Sequence, residues 1–546
     1  MKTIIIGGVA AGMSAATRLR RLHETDAITV YEMGAHVSYA NCGLPYFVSG
    51  VIAERDDLLL QTPESLWARF RINVQVRHRV ISINRDAQTV TVENLENGVQ
   101  FEDSYDNLVI ATGATPNRSP IKGIERALSL RDVTDVDALK AQVNSNGAKT
   151  VAVIGGGFVG IELAENLHKA GFAVSVVQRS ATILAGFDPE MIEPLQARLV
   201  SEGINLHLAA RVVEITAHCV LLETGEQLAA AIVIAAAGVT PDNRLAIAAG
   251  LELGPSGGLW VDAQQRTSDP RIFAAGDAVE KTAELTGDPT LIPLANLANR
   301  HGRLIADAIA GTPTNERPSI GTIIIGAFGM AAAQTGLSEK AAVRAGIDFA
   351  TIHLHPSSHA GYYPGAKRVS LKVVFERQTG RLLGAQATGE DGVDKRIDVI
   401  ATAIYAGLKI DDLMNLELAY APQFGSAKDA VNQAGYVGNN VFEGRTPSLQ
   451  WHELPAALAA GATLIDVRTA GEFAAGEIAG AINIPVDALR ERLNELTGKN
   501  VVVHCQVGQR GHTATQILRG HGIVVKNLDG GYLTWRSGQD CLERIK

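Results

Sequence analysis

Cysteine is scarce in this chain: four in 546 residues, Cys42, Cys219, Cys505 and Cys541. They are too few and too scattered for a disulfide framework or a zinc site. A reducing compartment suits such a chain. Excess positive charge is also missing. The formal net charge is −9 and no basic run stands out, which argues against nucleic acid as a partner. Long apolar runs are absent as well. LAAAIVIAAAGV at 228–239 is the longest after the opening, short of the roughly 20 residues a membrane helix needs. The opening, MKTIIIGGVAAGMSAA, puts one Lys ahead of an apolar run. A strand entering a glycine turn explains it better than an export leader does. The expectation is a soluble, cytoplasmic protein with no membrane and no nucleic acid among its partners.

What is present is ordinary globular composition, 46% hydrophobic and 20% charged, at a length that suits about three to four domains. One pattern occurs twice. TIIIGGVAAGMSAATRLRRL from Thr3 and TVAVIGGGFVGIELAENLHKAG from Thr150 each join a β-branched strand, a glycine turn and an amphipathic helix. Each leads into a second strand, AITVYE at 27–32 and AVSVVQ at 173–178. This βαβ unit, made twice, implies two dinucleotide sites. YDNLVIATGATP (105–116) is a strand running into a turn, and AAIVIAAAGVTPDN (230–243) echoes it. Beyond residue 320 the character changes. SLKVVFERQTGRLLGAQATG alternates with period two around Thr379-Gly380 and reads as a hairpin, and VDKRIDVIATAIYAGL carries the apolar stripe of a helix. Residues 441–450, VFEGRTPSLQ, read as a linker. A further α/β alternation starts at Trp451.

The first turn, Gly7-Gly8-Val9-Ala10-Ala11-Gly12, departs from GxGxxG at Val9, and the second, Gly155-Gly156-Gly157-Phe158-Val159-Gly160, matches in full. In both, unpaired N–H groups at the helix start suit a pyrophosphate. Glu32 ends the second strand of the first unit, where a carboxylate accepts ribose hydroxyls. The corresponding position in the second unit is Gln178, followed by Arg179, so NADPH stays open beside NADH. TSDPRIFAAGDA (267–278) supplies a short strand ending at Gly276-Asp277, where a helix can begin. Asp277 suits a ribityl hydroxyl or a helix cap.

These features, in this order and spacing, resemble the pyridine-nucleotide disulfide oxidoreductase family over residues 1–440. The resemblance implies FAD on the first unit, with Gly7, Gly8, Val9, Ala10, Gly12, Glu32, Ala111, Thr112, Gly113, Gly276, Asp277 and Ala295. It implies NAD(P)H on the second, with Gly155, Gly157, Phe158, Val159, Gly160, Gln178 and Gly238, and Phe158 covering the nicotinamide face of the flavin. Larger members place a CxxxxC redox pair beside the flavin. SYANCGLPYF (38–47) holds Cys42 and no second cysteine, so the partner sulfur must come from outside the segment. Among single-cysteine branches, peroxidases and oxidases often carry a histidine in the first turn, and GGVAAG has none. Similarity to CoA-disulfide reductases is closer. It implies a CoA site at Ser14, Arg18, Arg21, Ser38, Asn41, Asn299, Arg303 and Lys428. Arg18 and Arg21, three apart on one helix, can meet phosphates or stand as a solvated face. GYYPGA (361–366) and YAPQFGSAKD (420–429) match that branch too, implying that Tyr362, Tyr420 and Lys428 act on Cys42 from the partner subunit of a homodimer.

LIDVRTAGEFAAGEIAGAINIP (464–485), VVVHCQVGQRGHTA (501–514) and LDGGYLTWRS (528–537) are similar to a rhodanese domain. Cys505 follows a strand and heads the loop Cys505–Arg510 into a helix, a nest of N–H groups that lowers thiol pKa and holds a persulfide anion. Arg510 adds positive charge, and Asp466 with Arg468 reads as a structural pair. Cys219 lies in an apolar strand pattern and reads as core, whereas Cys541, near the terminus, reads as an incidental surface thiol.

The fold class expected is α/β: an FAD domain (1–115 and 245–320), an NAD(P)H domain (116–244), an α+β dimerisation domain (321–440), a linker (441–450) and a rhodanese domain (451–546). The function implied by the resemblance is NAD(P)H- and FAD-dependent reduction of CoA persulfide, polysulfide or CoA disulfide through Cys42, with Cys505 carrying sulfane sulfur. An NADH oxidase or peroxidase, and a redox-sensing sulfur-relay protein, are the rivals. No metal site is expected.

Overall fold

The computed structural model describes residues 1–118, 120–145, 147 and 149–545. Internal contacts divide the chain into two units: Met1–Val177 with Ala210–Ser319, and Gln178–Ala209 with Ile320 onward. Among the described residues no helix is long and apolar enough to cross a membrane.

In the first unit a five-stranded sheet runs in the order Ile272–Ala274, Asn107–Ile110, Lys2–Ile6, Ala27–Glu32, Asn73–Val76, every pairing parallel. Sheets of this kind are covered on both faces, so their strands are apolar throughout rather than alternating. Ile4 and Ile5, on opposite faces, are both fully buried. The helix Ala10–Leu22 turns Ala11, Ala15, Ala16 and Leu19 inward. A second parallel set joins Thr150–Ile154 to Ala173–Val177 and Ile232–Ala235, and the helix Phe158–Lys169 follows its glycine turn. The short strands Ala114–Pro116 and Val239–Pro241, ends of the two echoing segments, pair antiparallel.

The two glycine turns share one geometry. Gly7 and Gly155 sit at φ +103° and +115°, a region open mainly to glycine. A Cβ on Gly12 or on Gly160 would lie 1.9 Å from the carbonyl oxygen of Gly7 or Gly155. The last glycine therefore sets how tightly helix meets strand, and the middle position tolerates Val9.

The second unit holds an antiparallel five-stranded sheet, ordered Ile323–Ala327, Met330–Gly336, Leu382–Gly389, Val369–Glu376, Phe349–Leu354. Its central hairpin is the one that period-two alternation predicts. The helices Val393–Tyr405 and Ala430–Phe442 follow. A parallel sheet completes the unit, ordered Ser448–Leu449, Val524–Leu528, Asn500–His504, Thr463–Asp466, Ile482–Asn483. The helix Pro189–Ser201 packs on the final helix Gly531–Glu543.

Four local expectations need correction. Segment 441–450 is not a free linker: the preceding helix runs to Phe442, Ser448–Leu449 is an edge strand, and buried Thr446 meets His512 Nδ1 at 2.7 Å. Gly276–Ala278 forms only a 3-10 turn, and the next α-helix begins at Ala295. Cys219 is half-buried at a strand start, with Sγ 3.2 Å from Thr216 Oγ1. Cys541 is buried, not on the surface. Its Sγ accepts from Gln196 Nε2 at 3.8 Å, and burial pushes the thiol up to about 11, Glu193 adding to it.

Candidate active site

The first glycine turn is built around Glu32. Its Oε2 accepts the Gly8 N–H at 2.8 Å and its Oε1 the Gly34 N–H at 2.7 Å. Burial raises its pKa, and the two N–H groups oppose that. Each carboxylate oxygen keeps a second acceptor position for a ribose hydroxyl. Val9 is the N-cap of the following helix and provides no side-chain cap, nor does Gly157 in the second unit. Both helix starts thus leave first-turn N–H groups for an anion. Ala111 donates to Ile6 O at 2.8 Å, Thr112 Oγ1 donates to Asp242 O at 2.8 Å, and the Gly113 carbonyl accepts from Asp242 N–H at 2.9 Å. A Cβ on Gly7 would lie 2.2 Å from Ala111 O, so Ala111–Gly113 close over the turn. Gly276 approaches from the other side, its N–H directed at His301 Nδ1 (3.4 Å) and its carbonyl accepting Lys281 Nζ (2.7 Å). Burial raises the Asp277 carboxyl and pushes Lys281 down to about 8. Ala295 opens the helix Ala295–Ile309 in an exposed position. These residues fit a dinucleotide such as FAD: an uncapped helix start, a carboxylate with spare acceptor positions and backbone close enough to bar side chains.

The second turn fits a dinucleotide equally. A Cβ on Gly157 would meet nothing within 4 Å, Val159 is exposed, and Gly238, at φ +90°, accepts from Asn117 N–H at 2.9 Å. Phe158 is half-buried at the helix start. Gln178 directly follows Val177, whose carbonyl accepts the Gly155 N–H at 2.8 Å, and its Nε2 donates to Thr182 O at 3.4 Å.

Cys42 lies in the 3-10 turn Asn41–Gly43, exposed together with Asn41. The Gly-Leu-Pro that follows starts the helix Leu44–Ser49, with Pro45 in its first turn, where no N–H is missed. Ser38, at φ +49°, anchors this loop to the first glycine turn by donating its N–H to Gly8 O at 2.8 Å. A Cβ on Gly43 would press to 2.9 Å from Leu58 Cδ2. Partial burial raises the Cys42 thiol, and the carboxylates of Glu162 and Asp277 raise it further. Glu162 itself is pushed up to about 6 by burial, and Tyr46 Oη lies 3.4 Å from its Oε1. Sequence reading missed Glu162 and Tyr46. The available signal was spacing: Glu162 stands four residues after Phe158 on one helix face.

Of the residues implied for CoA, Ser14, Arg18, Asn299 and Arg303 lie where the helices Ala10–Leu22 and Ala295–Ile309 pack. Ser14 Oγ donates to Asn299 Oδ1 at 2.7 Å. Arg18 Nη2 lies 2.7 Å from Asp307, and exposed Arg303 lies 3.8 Å from the same carboxylate. A Cβ on Gly302 would lie 2.3 Å from Ala11 O, which explains how the helices come so close. Arg21 instead lays its guanidinium over Phe70, 5.1 Å from the ring centroid.

In the second unit, Tyr362 and Tyr420 meet hydroxyl to hydroxyl at 2.9 Å while both are exposed. That hydrogen bond raises the Tyr420 pKa. Phe424, in the same segment as Tyr420, is 67% exposed, and Lys428 is also exposed.

Cys505 is the opposite kind of thiol. It is 1% exposed at the end of the strand Asn500–His504, and its Sγ accepts the Gly508 N–H at 3.2 Å. Gly508, at φ +94°, caps the helix Gln509–Gly520. Arg510 is held by two hydrogen bonds to Glu472, 2.7 and 2.6 Å. This pulls Glu472 down to about 2 and raises Arg510, with Cys505 adding to the latter. Glu472 was missed from sequence, although it closes a capping box with Thr469. Asp466 and Arg468 are indeed a buried pair at 2.6 Å, but Arg468 Nη1 also donates to Gln506 Oε1 at 3.2 Å and so touches the loop.

Residues 1–302 match the pyridine nucleotide-disulphide oxidoreductase family, residues 326–431 its dimerisation domain, and residues 450–537 the rhodanese-like domain. The chain is 41% identical to Bacillus anthracis CoADR-RHD, known as a crystal structure of its reduced form. That match has a TM-score of 0.97 and covers 99% of this chain and 98% of that one. It is 36% identical to a NAD-dependent persulfide reductase from A. fulgidus, with TM-score 0.92 over 98% and 100% of the two chains. It is 35% identical to the coenzyme A disulfide reductase of Staphylococcus haemolyticus (strain JCSC1435), over 80% of this chain and 98% of that protein.

Proposed function

We propose a reaction from this premise: the chain belongs to the pyridine nucleotide-disulphide oxidoreductase family, and it is an NAD(P)H-dependent flavoprotein disulfide reductase of the CoA-disulfide reductase type joined to a rhodanese domain. Its substrates are CoA persulfide, polysulfide and CoA disulfide, and Cys42 is the sulfur that meets them. The observation that carries this reading is the setting of Cys42: exposed, unpaired and tied through Ser38 to the first glycine turn.

FAD, when bound, supplies a two-electron carrier between NAD(P)H and a sulfur. The rest falls to side chains. Cys42 thiolate attacks the CoA-bearing sulfur of a CoA persulfide, forming a Cys42–CoA mixed disulfide and releasing hydrosulfide. Two electrons and one proton then return the Cys42 thiolate and release CoA as its thiol. CoA disulfide follows the same course, with a CoA thiolate leaving in place of hydrosulfide. Ser14, Arg18, Asn299 and Arg303 orient the CoA nucleotide, and Arg21 widens that basic edge. Tyr362, Tyr420 and Lys428 complete the site from the partner subunit of a homodimer, with a tyrosine hydroxyl serving as proton donor to the departing sulfur. In the rhodanese domain Cys505 thiolate attacks the outer sulfur of a sulfane donor and becomes a persulfide, while the donor leaves as a thiolate. The Gly508 N–H and Arg510 stabilise the persulfide anion.

Cys42→Ser tests the reading. The variant is expected to bind FAD normally and to lose NAD(P)H oxidation driven by CoA persulfide or CoA disulfide. Full turnover in the variant, or steady hydrogen peroxide turnover with no use of CoA disulfide by the native protein, would overturn it. Cys505→Ser is expected to lose sulfane transfer and keep reduction of small soluble disulfides.

A further inference from the structure

A deeply buried ion network in the second unit plays no part in the chemistry above. Lys372 is fully buried, its Nζ 2.6 Å from Glu190, 2.6 Å from Glu339 and 3.0 Å from Asp188. Its ammonium occupies the space between the three carboxylates. Glu190 also faces His353, whose Nε2 lies 3.1 Å from Glu190 Oε1 and whose Nδ1 lies 2.7 Å from Asp529 Oδ2. Both ring nitrogens meet carboxylates, so both donate, and the ring is held as an imidazolium. Burial disfavours that charge, but Asp529 and Glu190 outweigh it and push the His353 pKa up to about 9. Gln450 Nε2 gives Asp529 Oδ2 its other donor at 3.3 Å.

Asp529 leads directly into the segment that closes the Cys505 loop. Tyr532 N–H donates to Cys505 O at 2.7 Å, and Leu533 N–H to Gln506 O at 3.1 Å. Gly531 passes so close that a Cβ would lie 2.4 Å from Cys505 O. A Cβ on Gly530 would lie 2.7 Å from the His353 Cβ and 2.0 Å from Thr534 Oγ1, which is itself fixed by His355 Nε2 at 2.8 Å. A continuous path of short contacts therefore runs from Lys372 and Glu190 through His353 and Asp529 to the backbone of Cys505.

We propose that His353 is a positioning residue for sulfur transfer: by pairing with Asp529 it fixes segment 529–533, and through that segment the loop whose Gly508 N–H holds the Cys505 sulfur. The inference rests on reading Cys505 as the sulfane carrier. The Gly508 N–H must stay on the sulfur to stabilise a thiolate or persulfide anion, and such donors work only when held within about 0.5 Å. Without His353, Asp529 keeps a buried charge that Gln450 alone must answer. Segment 529–533 then shifts toward water, and the loop loses its brace.

The test uses the full-length holoprotein with His353→Gln, and with Asp529→Asn as a second variant that keeps shape and removes the charge. Three readouts apply: sulfane transfer from polysulfide to cyanide, the pH profile of Cys505 alkylation by iodoacetamide followed by peptide mass, and NAD(P)H-driven reduction of CoA disulfide. In either folded variant, kcat for sulfane transfer is expected to fall about tenfold with little change in KM. The Cys505 alkylation profile moves to higher pH, and CoA disulfide reduction stays within about twofold of native. A folded variant with native sulfane kcat and an unmoved Cys505 profile overturns the proposal. If Cys505→Ser keeps sulfane transfer, the reading of Cys505 fails instead, a result distinct from either.

Discussion

Cys42 and Cys505 are both lone thiols in a turn ahead of a helix, and their surroundings are opposite. Cys42 has an exposed side chain whose thiol pKa is raised first by its partial burial and then by the carboxylates of Glu162 and Asp277. Cys505 is buried against a backbone N–H, with an arginine close by. The difference separates two tasks. A sulfur that must exchange partners with a diffusible thiol needs access, and its negative neighbours favour the thiol form until substrate and cofactor bring other charges. A sulfur that must carry a persulfide needs a fixed set of donors that keeps the anion stable between encounters.

The largest expected effect falls on the Cys505 side. Gly531 sits at φ +65° with Cys505 O in the way of any Cβ, so Gly531→Ala adds strain of about 1–3 kcal/mol. Sulfane transfer to cyanide should fall about a hundredfold or more, while CoA disulfide reduction persists. Equal loss of both would show that the two thiols do not work apart.

Stability against pH comes next. His353 carries a raised pKa of about 9, against about 6.5 when unfolded. Its contribution is therefore complete below about 6.5 and is lost as pH rises through about 9. The groups facing it are Glu190 from one helix, Asp529 from the turn after the strand Val524–Leu528, Lys372 from the adjacent strand, and His355, which burial, then His353, pushes down to about 3. The thermal unfolding temperature of the native protein should fall between pH 7 and 9.5, and His353→Gln should flatten that slope. Persistence of the full slope in the variant would place its origin elsewhere.

Glu162→Gln sharpens the Cys42 side. Removing the negative charge should bring the Cys42 thiolate to lower pH, read as a shift of its alkylation profile, with the Cys505 profile unmoved. Smallest is Glu472→Gln. It frees Arg510 toward the sulfur and should lower the pH of Cys505 alkylation, changing sulfane transfer about threefold or less. An upward shift would mean that Glu472 holds Arg510 in place rather than neutralising it.

Local geometry was readable from sequence. The glycine turns, Glu32, Cys42 and the Cys505 loop each lie within a short segment, and Val9 in the first turn did no harm because Gly12 sets the helix approach. Properties made by distant segments were not readable. Cys541 is buried because Gln196, 345 residues earlier, packs on its helix. Segment 441–450 looked free because its two-residue strand has meaning only beside Asn527–Leu528. The network of Glu190, Lys372, His353 and Asp529 draws on four separate segments, and the local patterns that hold Lys372 and Asp529 say nothing of the pairing.

The central claim is that Cys42 exchanges its bond with a diffusible CoA sulfur. The most direct measurement is the peptide mass at Cys42 after the oxidised holoprotein, without NAD(P)H, is incubated with CoA persulfide. The account predicts CoA linked to Cys42 through a disulfide that NAD(P)H removes. A Cys42 peptide that stays unmodified while the same protein turns over CoA persulfide would contradict it.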